Sequence, residues 1–201
     1  MLVDEFLPIF DVSDSLAAVV HAEVQATWDA LMEVDLLEVG RQRPLVGALG
    51  ALRMLPEMVS HLLHGEAMPA APARMRLKDT TTQPSREGGW VLLGERAPDE
   101  IALGLVGKFW RPVIEYAHVT PEGFRDFAEP GYAKTVYSLS VRALDAHRTL
   151  LTGTMRTATT DEHARRWFRR YWTFGVGSGA HVLVQGLLDT VRETAEHRAR
   201  G

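Results

Sequence analysis

The sequence predicts an α+β fold in which an antiparallel sheet is covered by a long C-terminal helix. Apolar residues recur at helical spacing near both ends of the 201-residue chain, and short apolar runs fill its middle. The connections between these runs are too short for helical crossovers, so neighbouring strands must run antiparallel. A chain of this length, with 46% hydrophobic residues, is expected to form one domain over 1–201.

The N-terminal part predicts a strand followed by two helices. The run "SLAAVVHA" over 15–22 is short and β-branched, and it leads directly into "EVQATWDALMEV". In that second run Val24, Trp28 and Leu31 recur at helical spacing. A further helix is predicted over 44–63, where Pro56 kinks or divides it, and the segment after it reads as a loop.

The middle of the chain predicts strands joined by tight turns. The runs "WVLLGE" and "EIALGLVGKFW" flank the turn "RAPD", and "VIEYAHV" is expected to be the next strand. A short helix over "TPEGFRDF" has Thr120 as its N-cap and Pro121 in its first turn. Two long strands, "YAKTVYSLSVRAL" and "TLLTGTMRTATT", then form a hairpin through "DAH".

The segment "RRWFRRYWTF" opens the C-terminal helix. Thr159 and Glu162 form a capping-box pattern, which predicts a helix start near Thr160 and a first break at "GVGSG". Helical projection places the rings on one arc and the arginines on the rest. Because an antiparallel sheet commonly buries one face, we expect this arc to cover that face, with the rings turned inward. The apolar stripe continues through "GAHVLVQGLLDTVRETAEH".

Composition and charge exclude several classes of protein. The net charge of −4 argues against a general nucleic-acid binder, and the absence of cysteine excludes disulfides. The N-terminus lacks the basic start of a signal peptide, and no apolar stretch is clean enough to span a bilayer. We therefore expect a cytoplasmic protein that binds no nucleic acid and does not insert stably into membranes.

Two sequence motifs give only weak indications of a cofactor or metal site. "GVGSGA" matches a dinucleotide-binding pattern, but it follows a helix where that pattern requires a strand. Glu57, His61 and His64 share one predicted helix face and could supply metal ligands, but the sequence identifies no residue that would hydrogen-bond to and orient these histidines. The sequence therefore predicts neither a cofactor nor a metal.

Four segments carry a resemblance to a known group of proteins. They are "AVVHAEVQATWDAL", "GLVGKFWRP", "TPEGFRDFAEPGYAKTVYSL" and "TTDEHARRWFRRYWTFGVGSGA". Together they resemble the START-like helix-grip superfamily, which includes lipid-transfer domains, the birch-pollen-allergen group, polyketide cyclases and many uncharacterised bacterial members. The resemblance implies a curved antiparallel sheet wrapped around the C-terminal helix, with two shorter helices after the first strand and an elongated, mainly apolar cavity. The superfamily has no single set of catalytic residues, so no catalytic residue is implied.

Strand alternation and helical projection select the residues expected to bound such a cavity. Tyr137 shares its face with Leu139 and Val141, and a phenol among apolar side chains can orient a carbonyl or hydroxyl group of a ligand. Tyr116 or His118 could add a second polar group. The expected ligand-binding residues are Leu103, Leu105, Tyr116, His118, Tyr137, Leu139, Met155, Trp167, Phe168 and Tyr171.

Three functions follow from this arrangement. The first is binding, transport or sequestration of a small hydrophobic or lipid-like molecule. The second is an enzyme of the polyketide cyclase or aromatase type, in which a tyrosine, histidine or arginine in the cavity assists proton transfer. The third is a protein-interaction module whose core is filled by side chains. The oligomeric state stays open.

Overall fold

The computed structural model describes residues 1–42, 76–82 and 90–200. The helix expected over 44–63, the loop after it, and the trio Glu57, His61 and His64 lie outside the described residues. In chain order the elements are α1 (Leu2–Phe6), β1 (Val12–Val20), α2 (Val24–Glu33), α3 (Leu36–Gln42), α4 (Leu77–Thr82), β2 (Val91–Arg96), β3 (Glu100–Gly107), α5 (Pro121–Asp126), β4 (Ala133–Ala143), β5 (Thr149–Thr159), α6 (Glu162–Tyr171), a π-helical turn (Trp172–Val176) and α7 (Gly177–Arg200).

The five strands form one antiparallel sheet in the order β1-β5-β4-β3-β2. Both predicted hairpins, β2-β3 and β4-β5, are present, and β1 joins the sheet by pairing with β5 near the other end of the chain. The curved sheet and the long C-terminal helix confirm the predicted α+β class and the helix-grip arrangement.

The inner face of the sheet carries the main core. Leu139, Val141 and Leu151 lie on that face and contact a layer formed by α2 and α7. Trp28 and Leu31 of α2 and Leu188 and Val191 of α7 are buried in the same cluster. Other buried members of this cluster are Val20, Ala30, Ile101, Leu103 and Ala195. α7 packs along β1 and against α2, so it lies nearer to the β1 and β5 side of the sheet than to β2.

The outer face is also covered, which the sequence did not predict. Every residue of β3 is buried, because α1 and α5 pack behind it. Ala102 and Val106 contact a second apolar cluster that includes Leu2, Val3 and Phe124. The expectation that the sheet buries one face only was therefore wrong for β3.

A buried carboxylate anchors α1 on that outer face. Both oxygens of Glu100 accept the backbone N–H of Leu2 at 2.9 Å, and the Ser138 hydroxyl donates to the same carboxylate at 2.6 Å. Arg156 adds an ion pair with Asp4 at 2.8 Å. These contacts hold the first helix across β3 and β4.

The segment expected to form a strand over 113–119 makes one bridge instead. Tyr116 pairs with Gly107, and the Ala117 N–H donates to the Val106 carbonyl at 3.0 Å. Pairing of β2 with β3 begins at Val91 and Gly104, so only the last residues of the β3 edge remain for another partner. That edge is too short for a seven-residue strand.

The C-terminal helical segment begins later than predicted. Asp161 is the N-cap of α6, and its carboxylate accepts the Ala164 N–H at 2.7 Å. This backbone hydrogen bond is the main cause that lowers the pKa of Asp161. Thr159, the N-cap of the predicted capping box, does not cap the helix, because its hydroxyl donates instead to Asp11 Oδ2 at 2.6 Å.

The predicted break at "GVGSG" is a π-helical turn over Trp172–Val176, after which the helix continues as α7. Gly177 lies under the indole of Trp172, and a Cβ at this position would meet that ring at 2.7 Å. The small residue therefore allows the ring to fold back over the start of α7.

The rings of α6 divide between the two sides of the helix. Phe168 is buried and stacks on Trp172 with centroids 5.9 Å apart, and Tyr171 is partly buried beside them. Trp167, expected to face inward, is 44% exposed. Ala164 and Phe168, four residues apart, set the buried face, and Trp167 lies about 100° away from Phe168. The inward placement of Trp167 was therefore wrong.

This division predicts unequal effects of two neighbouring substitutions. Phe168→Ala should lower the free energy of unfolding by about 3–5 kcal/mol, because it empties a packed position. Trp167→Ala should cost less than about 1 kcal/mol, because the ring is largely exposed and its ring contacts are with the exposed side chains of His163 and Arg170. Denaturant unfolding of both variants checks this, and equal losses would contradict the orientation of α6.

Candidate functional site

A cavity of about 130 Å³ lies between α7 and the inner face of the sheet. Within the part of the chain that the structure describes, its wall is formed by Leu77, Trp90, Leu103, Tyr137, Ser138, Leu139, Gly153, Thr154, Val184 and Leu187. The wall thus draws on β3, β4 and β5 on one side, α7 on the other, and α4 with the start of β2 at its end.

Gly153 explains why α7 approaches the sheet beside this space. It pairs with Leu139 on β4 and with Leu16 on β1. A Cβ on Gly153 would lie 2.8 Å from Val184 Cγ1, so the helix contacts β5 at backbone distance. A glycine inside a strand is typical of such close approach. The cavity extends from this contact toward Leu103 and Trp90.

The surface of the cavity is apolar apart from one phenol. Ser138 and Thr154 contribute mainly backbone, because their hydroxyls bond on the outer face, to Glu100 and to Ser15. Tyr137 meets the Trp90 ring edge to face, with centroids 5.5 Å apart. Burial, with a smaller contribution from Tyr171, raises the pKa of Tyr137 to about 12. Tyr137 is therefore a neutral hydroxyl near neutral pH.

The structure places three of the predicted site residues, Leu103, Tyr137 and Leu139, on the cavity wall. Four others, Leu105, Tyr116, Phe168 and Tyr171, form an aromatic cluster with Phe109, Trp110 and Trp172. Trp90 contacts both this cluster and the main core, so it joins the cluster to the cavity.

The remaining three predicted residues lie elsewhere. Met155 is buried beside Val184, in a narrow crevice next to Asp14 and Ala180 rather than in the cavity. His118 is exposed, because the segment that carries it is not a strand of the sheet. Trp167 is exposed for the reason given above.

Several wall residues were not predicted. Val184 and Leu187 belong to the apolar stripe of the last helix, so their helical period was a usable signal. Gly153 interrupts the row of large residues on β5, which is a signal of close backbone approach. Trp90 stands at the start of a predicted strand. Nothing in the sequence around Leu77 indicates that it reaches the cavity.

A charged network outside the cavity holds the loop after β3. Lys108 Nζ and Arg111 Nη1 each lie 2.6 Å from a Glu115 oxygen, and the Tyr132 hydroxyl donates to Glu115 at 3.1 Å. The bond from Lys108 lowers the pKa of Glu115 and raises that of Lys108. Burial, then the Glu115 bond, raises the pKa of Tyr132. Each carboxylate oxygen has a partner within the network, which is typical of a structural role.

A larger cleft of about 410 Å³ lies on the outer face, between the segment after α1 and the end of α5. It is more open to solvent, and its wall mixes apolar residues with Glu5, Arg125 and Lys134. The Lys134 ammonium already donates to the Arg125 carbonyl at 2.8 Å. The inner cavity is the better candidate because it is more enclosed and nearly free of charge.

The described residues contain no group of three or more acidic, histidine or cysteine side chains placed to hold a metal ion. None of the described helices is both long and apolar enough to cross a membrane.

Comparison with known proteins gives distant structural likenesses. No protein-family model matches the chain, and no curated protein matches it. A conserved protein from Geobacillus kaustophilus is 12% identical with a TM-score of 0.39, over 92% of this chain and 95% of that chain. The Zhui aromatase/cyclase from Streptomyces sp. R1128 is 14% identical with a TM-score of 0.36, over 94% and 96%. An Arthrobacter aurescens protein is 12% identical with a TM-score of 0.37, over 92% and 91%. The fold assignment accordingly rests on the topology of the chain itself.

The raised pKa of Tyr137 predicts a loss of stability in alkali. Because the folded-state pKa lies above the unfolded value of about 10, the neutral phenol stabilises the fold fully below about pH 10. This contribution is lost as the pH rises through about 12, and its full size is about 2–3 kcal/mol. Denaturant unfolding gives the difference in free energy of unfolding between the wild type and Tyr137→Phe. This difference should be constant up to about pH 9, and at higher pH the wild type should lose stability relative to the variant. A difference that stays constant to about pH 12 would contradict burial of the phenol.

Proposed function

We propose that the protein binds a small, uncharged and largely apolar molecule in the cavity between α7 and the sheet. The observation that carries this proposal is an apolar cavity with one phenol, that of the partly buried Tyr137, on its wall. Its volume of about 130 Å³ compares with the roughly 150 Å³ apolar cavity in another protein that holds benzene. A ligand of about one aromatic ring matches this volume.

The energetic cost of the cavity supports a binding role. At roughly 24 cal/mol per Å³, a fully enclosed empty cavity of this size costs about 3 kcal/mol relative to a filled core, and the partly open space bounded by the described residues costs less. A ligand that fills the space recovers the lost contacts with Leu103, Leu187 and the Trp90 ring. This cost disfavours the interaction-module alternative, which requires a core filled by side chains.

Tyr137 supplies the specificity. Its hydroxyl lies among apolar side chains, where a hydrogen bond to a ligand oxygen faces little competition from water. A ligand with one carbonyl or hydroxyl group and a hydrocarbon body fits this pattern. A charged ligand does not fit, because no described wall residue offers an opposite charge.

The cyclase or aromatase alternative requires proton transfer in the same cavity. Tyr137 is the one ionisable residue on the described wall, and a phenol with a pKa of about 12 is a weak acid and is almost never ionised near neutral pH. This favours binding without chemistry. Transport or sequestration in the cytoplasm fits such a binder.

Toluene and p-cresol, which differ by one hydroxyl, test the role of Tyr137. Both should bind the wild type, raise its unfolding midpoint and change its tryptophan fluorescence. Tyr137→Phe should lower the affinity for p-cresol about two- to tenfold, because one hydrogen bond is lost, and should leave the affinity for toluene nearly unchanged. Isothermal titration measures both. Equal weakening of the two ligands would remove the assigned role of the hydroxyl.

A matched pair of helix substitutions tests the location of the site. Leu187→Phe adds a ring on the cavity side of α7, so it should lower the affinity for toluene at least about tenfold while the variant still folds. Leu183→Phe, at a 41% exposed position one turn earlier, should leave toluene binding unchanged. Binding that survives Leu187→Phe in a folded variant would place the ligand elsewhere.

A further inference from the structure

Two exposed rings and two further exposed side chains form a stripe along the outer side of α6 and the π-helical turn. The stripe consists of His163, Trp167, Arg170 and Phe174, which follow each other at spacings of four, three and four residues. Trp167 is 44% exposed and Phe174 is 87% exposed. The His163 ring meets Trp167 edge to face at 6.4 Å, and the Arg170 guanidinium lies 5.4 Å from the Trp167 centroid.

The rings of this outer stripe are exposed because the inner side of the same segment is already occupied. Ala164 and Phe168 are buried, and Trp172 stacks on Phe168. Neither Trp167 nor Phe174 belongs to a core cluster of the described residues. The outer stripe is thus a separate apolar surface on a well-packed helix, and the binding cavity does not account for it.

Positive charge flanks the outer stripe. Arg166, Arg169 and Arg170 are exposed on the same helix. Arg165 is paired with Asp11 and Glu162, whereas no carboxylate among the described residues pairs with Arg166 or Arg169. The chain as a whole has a net charge of −4, so this cationic surface is local. The surface therefore offers two rings and three guanidinium groups to an anionic partner.

We propose that the outer stripe docks the protein on the surface of a bilayer that contains anionic phospholipids. Trp167 and Phe174 enter the headgroup layer, where amphipathic rings are favoured, and the arginines contact lipid phosphates. The docking is peripheral, which agrees with the lack of a membrane-spanning helix among the described residues. The proposal stands independently of the ligand cavity.

The shape of the outer stripe favours a bilayer over a nucleic acid. The two rings lie on the outside of one helix, seven residues and about 10 Å apart along its axis. A single-stranded nucleic acid is bound in a groove that offers stacking platforms to successive bases. The outer stripe projects from the helix with a ring near each end, and this shape fits the broad, deformable surface of a bilayer.

Vesicle sedimentation tests the proposal. The full chain should bind vesicles of phosphatidylcholine with about one-third phosphatidylglycerol at least about tenfold more tightly than vesicles of phosphatidylcholine alone. This affinity should fall as salt is raised. No binding, or equal binding to both vesicles, would overturn the proposal.

Two double variants locate the surface. Trp167→Ser with Phe174→Ser should weaken binding to the anionic vesicles at least about tenfold, and Arg166→Gln with Arg169→Gln should remove most of the preference for phosphatidylglycerol. Thermal unfolding confirms that each variant is folded. Leu144→Ser with Arg142→Gln, which alters an exposed leucine and an exposed arginine at the end of β4, is the matched control and should bind as the wild type does.

Two outcomes would overturn the assignment of this surface to lipid. The first is unchanged vesicle binding by both stripe variants. The second is tighter binding of a single-stranded oligonucleotide than of the anionic vesicles, lost in the same variants, which would reassign the outer stripe to nucleic acid. Leu187→Phe should not affect vesicle binding, so failure of the ligand proposal is distinguishable from failure of this one.

Discussion

The contact between α7 and β5 at Gly153 is the constraint on which the rest of the structure depends. Large side chains hold a helix away from a sheet, but the missing side chain of Gly153 lets Val184 approach the backbone of β5. The helix is thereby fixed against the β1 and β5 side of a curved sheet. The cavity lies between this helix and the part of the sheet that carries Leu103, Tyr137 and Leu139. Position 153 thus determines how the helix docks on the wall of the cavity.

The two walls of the cavity are supported differently. β3 and β4 are packed on both faces, because α1 is anchored behind them by Glu100 and α5 contributes Phe124. A sheet packed on both faces resists deformation, so Leu103 and Tyr137 project from a rigid wall. The opposite wall is the single helix α7. The π-helical turn between α6 and α7 changes which side of the helix faces the sheet. Polar groups that orient a ligand are best placed on the rigid side, where Tyr137 lies.

The sequence was informative wherever local pattern decides the structure. Both hairpins followed from connection length, the inward face of Tyr137 from strand alternation, and the start of α5 from Thr120, whose hydroxyl accepts the Gly123 N–H at 3.1 Å. The errors concern long-range packing. Helical projection placed the rings of α6 on one broad arc, but Trp167 and Phe168 lie about 100° apart on the helix. The rotation of the helix depends on Ala164 and Phe168 meeting the sheet, so Trp167 was assigned to the wrong side. Burial of the outer face depends on residues 2–7 docking about a hundred positions away along the chain, which no local period encodes.

Xenon binding in the crystal is the measurement that tests the cavity most directly. Xenon enters apolar cavities without needing a hydrogen bond, so it reports the space itself rather than the chemistry of Tyr137. Crystals held under xenon pressure should contain a xenon site between Leu103, Tyr137 and Leu187. A structure in which side chains fill that region, with xenon absent from it, would show that the protein has no cavity there and would contradict the proposed ligand site.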